Sequence, residues 1–302
     1  MTPPCPSRRE FLRQATLFAS CIPALWASDA TNKLGELPPI VGFSKPFQQL
    51  SPEAVAELVE EVGWDGIECS VRPQGHIEPE RVAEDLPRLA AALRGRGKHV
   101  HILATTITSL DEPNVEKVLR TAADLGVQTI RLGYWRYRDN DQPPVRVQEL
   151  RPALRDLEAA CRTLGLRAGY QNHSGRDLVG GPVWDILPLI QEINSPHLGM
   201  CFDLGHATVE GGLSWPIDAR AVEPYLVALF VKDFVWQETP RGWRPAWCPL
   251  GGGMIPRSYL RGLMAKGVRV PINQHHEYEL GDRATMVKHL QRDLKVLRQW
   301  LA

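Results

Sequence analysis

The sequence predicts one (β/α)₈ barrel, a TIM barrel, over residues 38–302, and three observations carry that expectation. Short apolar runs alternate with amphipathic stretches eight times from Pro39 onward. Several amphipathic stretches close on a glycine suited to a left-handed helix cap, Gly63 and Gly165 among them, and an apolar run follows within a few residues. No glycine-rich phosphate turn follows the first run. Gly42-Phe43-Ser44-Lys45-Pro46 stands where an open doubly wound sheet would carry GxGxxG. Strict strand-then-helix order implies a parallel sheet with helices outside it, and eight units in about 260 residues match a closed barrel.

The apolar runs place strands at 40–43, 66–71, 100–106, 129–134, 167–173, 198–203, 227–233 and 271–277. Helical patterns fall at 52–62, 80–94, 115–125, 147–164 and 183–193, and a last helix over 283–301 closes the chain. The longest irregular stretch, 235–255, carries Trp236, Trp243 and Trp247 and reads as a long functional loop after the seventh strand.

Of the 302 residues 43% are hydrophobic, enough for one large core. Lys plus Arg and Asp plus Glu balance at 35 each, so no global field steers the chain to nucleic acid. No apolar run is long enough to span a bilayer. Residues 1–30 read separately as an export signal. Ser7-Arg8-Arg9-Glu10-Phe11-Leu12 precedes a mildly apolar stretch and resembles the twin-arginine type, which implies a periplasmic destination. Phe18-Ala19-Ser20-Cys21 resembles an imperfect lipoprotein box, so a lipid anchor on Cys21 is the alternative. Cys69, Cys161, Cys201 and Cys248 form no CxxC pair and read as free thiols. The oligomeric state is left open.

Chemistry in such barrels sits where strands end. Those positions hold Lys45; Glu68, Arg72 and His76; Thr105 and Thr106; Arg131, Tyr134 and Trp135; Gln171 and His173; Asp203 and His206; Lys232 and Asp233; His275, His276 and Glu277. A ring of polar ends converging on one mouth is hard to explain by packing. Taken singly, Glu68 and Asp233 could be structural carboxylates, and His76 and His276 would face solvent or a loop. Asp203 and His206 stand three apart in Asp-Leu-Gly-His, and His275 and Glu277 share a strand face. Aromatic rings such as Trp135 suit the apolar faces of sugars.

Four motifs then identify a relationship: Tyr170-Gln171-Asn172-His173-Ser174-Gly175, Phe202-Asp203-Leu204-Gly205-His206-Ala207, Val231-Lys232-Asp233 and Pro249-Leu250-Gly251-Gly252-Gly253. In order and spacing they resemble the xylose-isomerase-like TIM-barrel superfamily, and within it the exported sugar phosphate isomerase/epimerase-like branch. The resemblance implies one divalent cation held by a Glu, an Asp, a His and a second Glu from late strands, and proton transfer beside a sugar carbonyl. At those positions this chain has Gln171, Asp203, Phe230 and His275, with Glu277 two residues further on. Phe230 cannot ligate and Gln171 brings no charge, so the inherited site is weakened. A rearranged site of Gln171, Asp203, His275 and Glu277, with His173 or His206 nearby, is the metal expectation, for Mn²⁺, Zn²⁺ or Mg²⁺.

The function expected is a carbohydrate-active isomerase or epimerase. Glu277 is the expected base, with a pKa raised towards neutrality, His206 carries protons, and Lys232 or the ion stabilises the enolate. Glu68, Arg72, His173 and Trp135 are the expected substrate contacts. Export argues for a neutral sugar or a 3-keto-glycoside cleaved by elimination rather than a sugar phosphate. A non-catalytic sugar-binding barrel is a further alternative. A metal-dependent nuclease fits poorly with the neutral charge balance and the Gln171 and Phe230 positions.

Overall fold

The computed structural model describes residues 37–302; the expected export segment, with Cys21, lies outside them. Seven strands come first: β1 (Ile40–Phe43), β2 (Gly66–Ser70), β3 (His99–Ala104), β4 (Thr129–Arg131), β5 (Arg167–Gln171), β6 (Leu198–Asp203) and β7 (Leu226–Val231). An antiparallel pair, β8 (Asp233–Thr239) and β9 (Gly242–Cys248), precedes the last strand, β10 (Ile272–Gln274). Strands β1 to β7 pair in sequence, and β10 closes the ring between β7 and β1. Every pairing in the ring is parallel. The fold is therefore the expected (β/α)₈ barrel.

Around it run α1 (Pro52–Val62), α2 (Val82–Arg94), α3 (Val115–Asp124), α4 (Pro143–Glu149), α5 (Arg151–Leu164), α6 (Leu187–Ile193), α7 (Leu204–Gly211), α8 (Trp215–Val222), α9 (Arg257–Ala265) and α10 (Arg283–Leu301). Helix α1 shows how local sequence sets such an element. The Ser51 hydroxyl accepts from the Ala54 N–H, Pro52 occupies the first turn, and Gly63 ends the helix at φ 90°. Between those signals Val55, Leu58, Val59 and Val62 form one buried face against the sheet.

Three expectations need correction. The helix expected at 147–164 is two, α4 and α5, because Pro152 lacks the N–H to continue the first and instead opens the second. The helix expected at 183–193 begins only at Leu187, with Pro188 in its first turn. The stretch 235–255 is not a loop throughout: β8 and β9 pair from Asp233↔Cys248 to Thr239↔Gly242. Alternation with a period of two in Phe234, Trp236 and Glu238 was the available signal.

The core has two parts. Val41, Ile102, Cys201, Val227, Ala228 and Phe230 fill the lumen. A larger cluster packs the strands against the helices, with Trp64, Tyr170 and Phe202 fully buried in it. Cys69, Cys161, Cys201 and Cys248 are free thiols. Among the described residues, no helix is long and apolar enough to cross a membrane.

Candidate active site at the barrel mouth

Most barrel strands stop two or three residues short of the expected ends, so polar residues that follow them belong to the strand-to-helix loops. Side-chain bonds, rather than sheet pairing, fix this rim. Asn172, just past β5, donates to the Asp203 carbonyl (3.0 Å) and accepts from the Asp203 N–H (2.8 Å), clamping β5 to β6. Asp203 ends β6 and caps α7, accepting from the His206 N–H at 3.1 Å. The cap turns the chain so that His206 points back over the lumen. Gly205 between them is a packing requirement: a Cβ there would stand 2.7 Å from Lys232 Cγ.

Asp233, beside Lys232, has a structural task. Its Oδ2 accepts from the Gly251 and Gly253 N–H groups at 3.0 Å each, and its Oδ1 from Phe234 and Ile255. A Cβ on Gly253 would lie 2.2 Å from that carboxylate, which explains the glycine run after Pro249. Val231-Lys232-Asp233 thus anchors the hairpin with the acid and leaves the lysine facing the mouth.

A chain of buried polar contacts crosses the lumen. Glu68 Oε1 receives the Arg131 Nε–H at 2.6 Å, while Glu68 Oε2 receives His275 Nε2 at 2.9 Å and the Asn273 amide. Arg131 also donates to Gln171 Oε1 at 2.6 Å, and Tyr134 donates to the same oxygen. Gln171 Nε2 donates to Asp203 Oδ2 at 2.9 Å, and Lys232 Nζ lies 3.4 Å from that oxygen. Lys232 Nζ then reaches His206 Nε2 at 2.6 Å and Glu277 Oε1 at 2.7 Å. His206 Nδ1 meets the Ser174 hydroxyl at 2.7 Å, and the His173 ring packs with its centroid 3.8 Å away. Trp247 of β9 covers Lys232, with its ring centroid 4.3 Å from Nζ.

The electrostatics follow from burial and neighbours. Burial opposes a charge on His206, and Lys232 and His173 add repulsion, so its pKa is well below the ordinary value. The imidazole is neutral and accepts from Lys232 through Nε2, so Nδ1–H donates to Ser174. Burial and Lys232 lower His173 likewise. Burial raises Glu277, but Lys232 and then His275 outweigh it and bring its pKa down to about 2. That corrects the expectation of a base raised towards neutrality: the ammonium partner was not foreseeable from Glu277's place in the chain. Glu68 is also lowered, with burial overcome by Arg131 and His275.

The expected residues divide by position. Gln171, Asp203, His206, Lys232, His173, His275 and Glu277 meet at one mouth through the contacts above. Glu68, expected to touch substrate, is fully buried beneath it with both oxygens bonded. Trp135 is buried against Tyr170, stacked at 5.3 Å, and packs as core. Arg72 is half-buried over Phe43, and no carboxylate pairs with it among the described residues. His276, expected at solvent or a loop, lies in the stretch after β10 and is buried against Trp64. Sequence reading gave Ser174 and Asn172 no role, although both lie in the first motif. It also named Arg131 and Tyr134 only as strand ends.

The inherited metal positions do not suit a divalent cation. Both lone pairs of the Gln171 oxygen are taken, by Arg131 and Tyr134. Phe230 has no donor atom, and its ring packs 4.7 Å from that of His275. Among the described residues, no three His, Cys, Asp or Glu side chains are arranged to hold a metal ion. Of the side chains expected to hold a metal, Asp203 and Glu277 face the Lys232 ammonium, while Gln171 bonds to Asp203 and His275 to Glu68. Two surface depressions, of about 370 and 250 Å³, lie against α10 and at the N-terminal ends of β3 and β4, away from this ring.

A closed parallel barrel with its polar ring at the C-terminal strand ends defines the (β/α)₈ class in which strand-end side chains form the reactive centre. The chain belongs to the xylose isomerase-like TIM barrel family, whose sequence profile matches residues 56–292. A xylose isomerase-like TIM barrel protein from Mycobacterium smegmatis, solved in complex with magnesium, is similar at 19% identity and TM-score 0.64, covering 88% of this chain and 98% of that one. The 3-keto-D-glucoside 4-epimerase from E. coli is similar at 15% identity and TM-score 0.68, covering 87% and 100%. A D-psicose 3-epimerase is similar at 13% identity and TM-score 0.65, covering 87% and 99%. No curated protein matches the sequence.

Proposed function

We propose that this protein is a sugar isomerase or epimerase-like enzyme that removes a proton from a carbon beside a sugar carbonyl. The Lys232 ammonium, hydrogen-bonded to both Glu277 and neutral His206 at the mouth, is the observation that carries this reading. The carbonyl oxygen of the sugar takes a hydrogen bond from Lys232. Glu277, loosened from its partner, then gains basicity and accepts the proton. The C–H electron pair becomes the new C=C bond, and the carbonyl π pair moves onto the oxygen that Lys232 faces. His206, backed by Ser174, moves a proton on the neighbouring oxygen. Return of a proton to the opposite face gives an epimer, and to the adjacent carbon an isomer. Arg72 and His173 bind hydroxyl groups at the rim. The epimerases among the similar structures support a sugar as ligand.

A second reading, elimination from a 3-keto-glycoside, is favoured by the hairpin. Trp247 and Phe234 face each other across it, and Trp236 shares their face and is 40% exposed. That face leads outward from Lys232 and suits a second ring on the substrate. We further propose export through residues 7–12, with an uncharged carbohydrate outside the cytoplasm as partner.

Proton abstraction is tested by incubating the protein with sugars and 3-keto-glycosides in D₂O and reading the carbon-bound positions by NMR. Deuterium at one carbon of one substrate is the expected result. Binding of a substrate without exchange at any carbon would leave a sugar-binding barrel and end the enzymatic reading.

A further inference from the structure

We propose that the positive charge of this centre is carried by two fixed side chains, Lys232 and Arg131, which have replaced the divalent cation at the mouth. The inference rests on the proposed reading only in taking the mouth as the reactive site.

The first support is what surrounds Nζ of Lys232. It lies 2.7 Å from Glu277 Oε1, 2.6 Å from His206 Nε2 and 3.4 Å from Asp203 Oδ2. Two carboxylates and an imidazole therefore converge on one buried ammonium, as they would on a metal ion. The second support is the altered pair of positions. Glutamine at 171 keeps an oxygen that Arg131 and Tyr134 saturate, while Phe230 presents its ring to Arg131, with the guanidinium carbon 5.8 Å from its centroid. Phe230 is thus more than a lost ligand, because an aromatic face there stabilises the cation that the lumen holds.

The charges agree with this reading. Three buried or partly buried carboxylates, Glu68, Asp203 and Glu277, face two buried cations, Arg131 and Lys232. Three carboxylates against two cations leave a single negative charge in excess, and a dication added to this low-dielectric ring would bring two positive charges for that one surplus carboxylate. To reach Asp203 and Glu277 it would have to displace Lys232, whose stem is pinned over Gly205 and whose head lies under Trp247. A metal can hold two neighbouring substrate oxygens at once. Lys232 donates to Glu277 and His206 and keeps one N–H for substrate, so the half-buried Arg72 becomes the group that holds the second oxygen.

The test uses the full chain purified without chelator. Elemental analysis should find no stoichiometric metal, titration with MnCl₂ should give no binding heat, and EDTA should leave the melting temperature unchanged. One manganese, zinc or magnesium ion per chain, lost in Asp203→Asn, would overturn the proposal. A gain-of-binding variant tests the replacement itself. Gln171→Glu, Phe230→His and Lys232→Met together should restore Mn²⁺ binding, read by calorimetry on protein shown to be folded by circular dichroism. A folded triple variant that binds no Mn²⁺ would also count against it. Failure of deuterium exchange in metal-free wild-type protein would sink the proposed reaction but leave these metal readouts standing.

Discussion

Lys232 and Glu277 form an ion pair 2.7 Å long with unequal ends: the ammonium side chain is 2% exposed and the carboxylate 26%. The open end faces the mouth, so in the proposed reaction an incoming sugar meets the acid first and separates it from its partner. In the free protein the pair holds the Glu277 pKa at about 2, which makes the carboxylate a weak base until substrate takes the ammonium. In the proposed reaction, basicity in this site is therefore conditional on occupancy.

Replacing Glu277 by Gln keeps its size and its bond to Lys232 but removes proton acceptance. Turnover should fall by about 10²- to 10⁴-fold while calorimetric sugar binding largely survives. The pH dependence separates this base from others. Because kcat/KM reports the free enzyme, it should show no acid limb from Glu277 between about pH 4 and 7. The limb in kcat, which reports the complex, should lie higher. An acid limb near pH 6 in kcat/KM would assign the base to another group.

Gly205 offers a test of Lys232 that removes no functional group. In Gly205→Ala the added Cβ would lie 2.7 Å from Lys232 Cγ, so the lysine must move. A misplacement of about 1 Å in a reacting constellation costs about 10²-fold in rate, whereas alanine is the better helix former by about 1 kcal/mol. Turnover should fall about 10²-fold with little change in melting temperature. Full activity in the variant would show that Lys232 has room to adapt.

The barrel was legible because its signals are local and repeated: apolar runs of strand length, capped helices and glycine stops such as Gly63. Strand ends were less legible, since no glycine or proline directly follows Gln171 or Gln274 to mark where ladder pairing stops. The mouth was legible as a set of residues, because position at a strand end already implies convergence. Its internal bonding was not. That Glu68 would be consumed by Arg131, or that Asp233 would fold the glycine loop around itself, depends on partners 63 and about 20 residues away. The lowered Glu277 pKa has the same origin, in a lysine 45 residues earlier in the chain.

Export is testable without the structure. Arg8→Lys together with Arg9→Lys keeps the charge of the segment but removes the paired guanidinium groups that the twin-arginine resemblance rests on. The precursor should then remain in the cytoplasm by cell fractionation. Normal export of the double variant would remove the assignment of residues 7–12.

His276 makes a prediction about stability rather than catalysis. Its ring is buried near Trp64 and Tyr278, and neither nitrogen has a hydrogen-bond partner. Burial, with repulsion from His275, Arg292 and His289, pushes its pKa down to about 3. Among the described residues, Asp293 is the acid that pairs with it, with Oδ2 3.6 Å from Nε2, and that carboxyl is itself raised by burial. The folded protein thus keeps this imidazole neutral at pH values where the unfolded chain, with an ordinary value near 6.5, takes up a proton. The unfolded state then binds more protons, so stability is full above that value and falls as pH drops from about 6.5 towards 3, by about 1.4 kcal/mol per pH unit for one such group. His76 and His101, both lowered to about 4 by burial, act in the same sense and remain in the variant. Comparing wild type with His276→Leu therefore isolates one histidine. Urea unfolding at pH 7.5 and pH 5 should show wild type losing about 2 kcal/mol more than the variant over that interval. Parallel losses would mean that the folded protein accepts the proton at His276, with Asp293 as its partner.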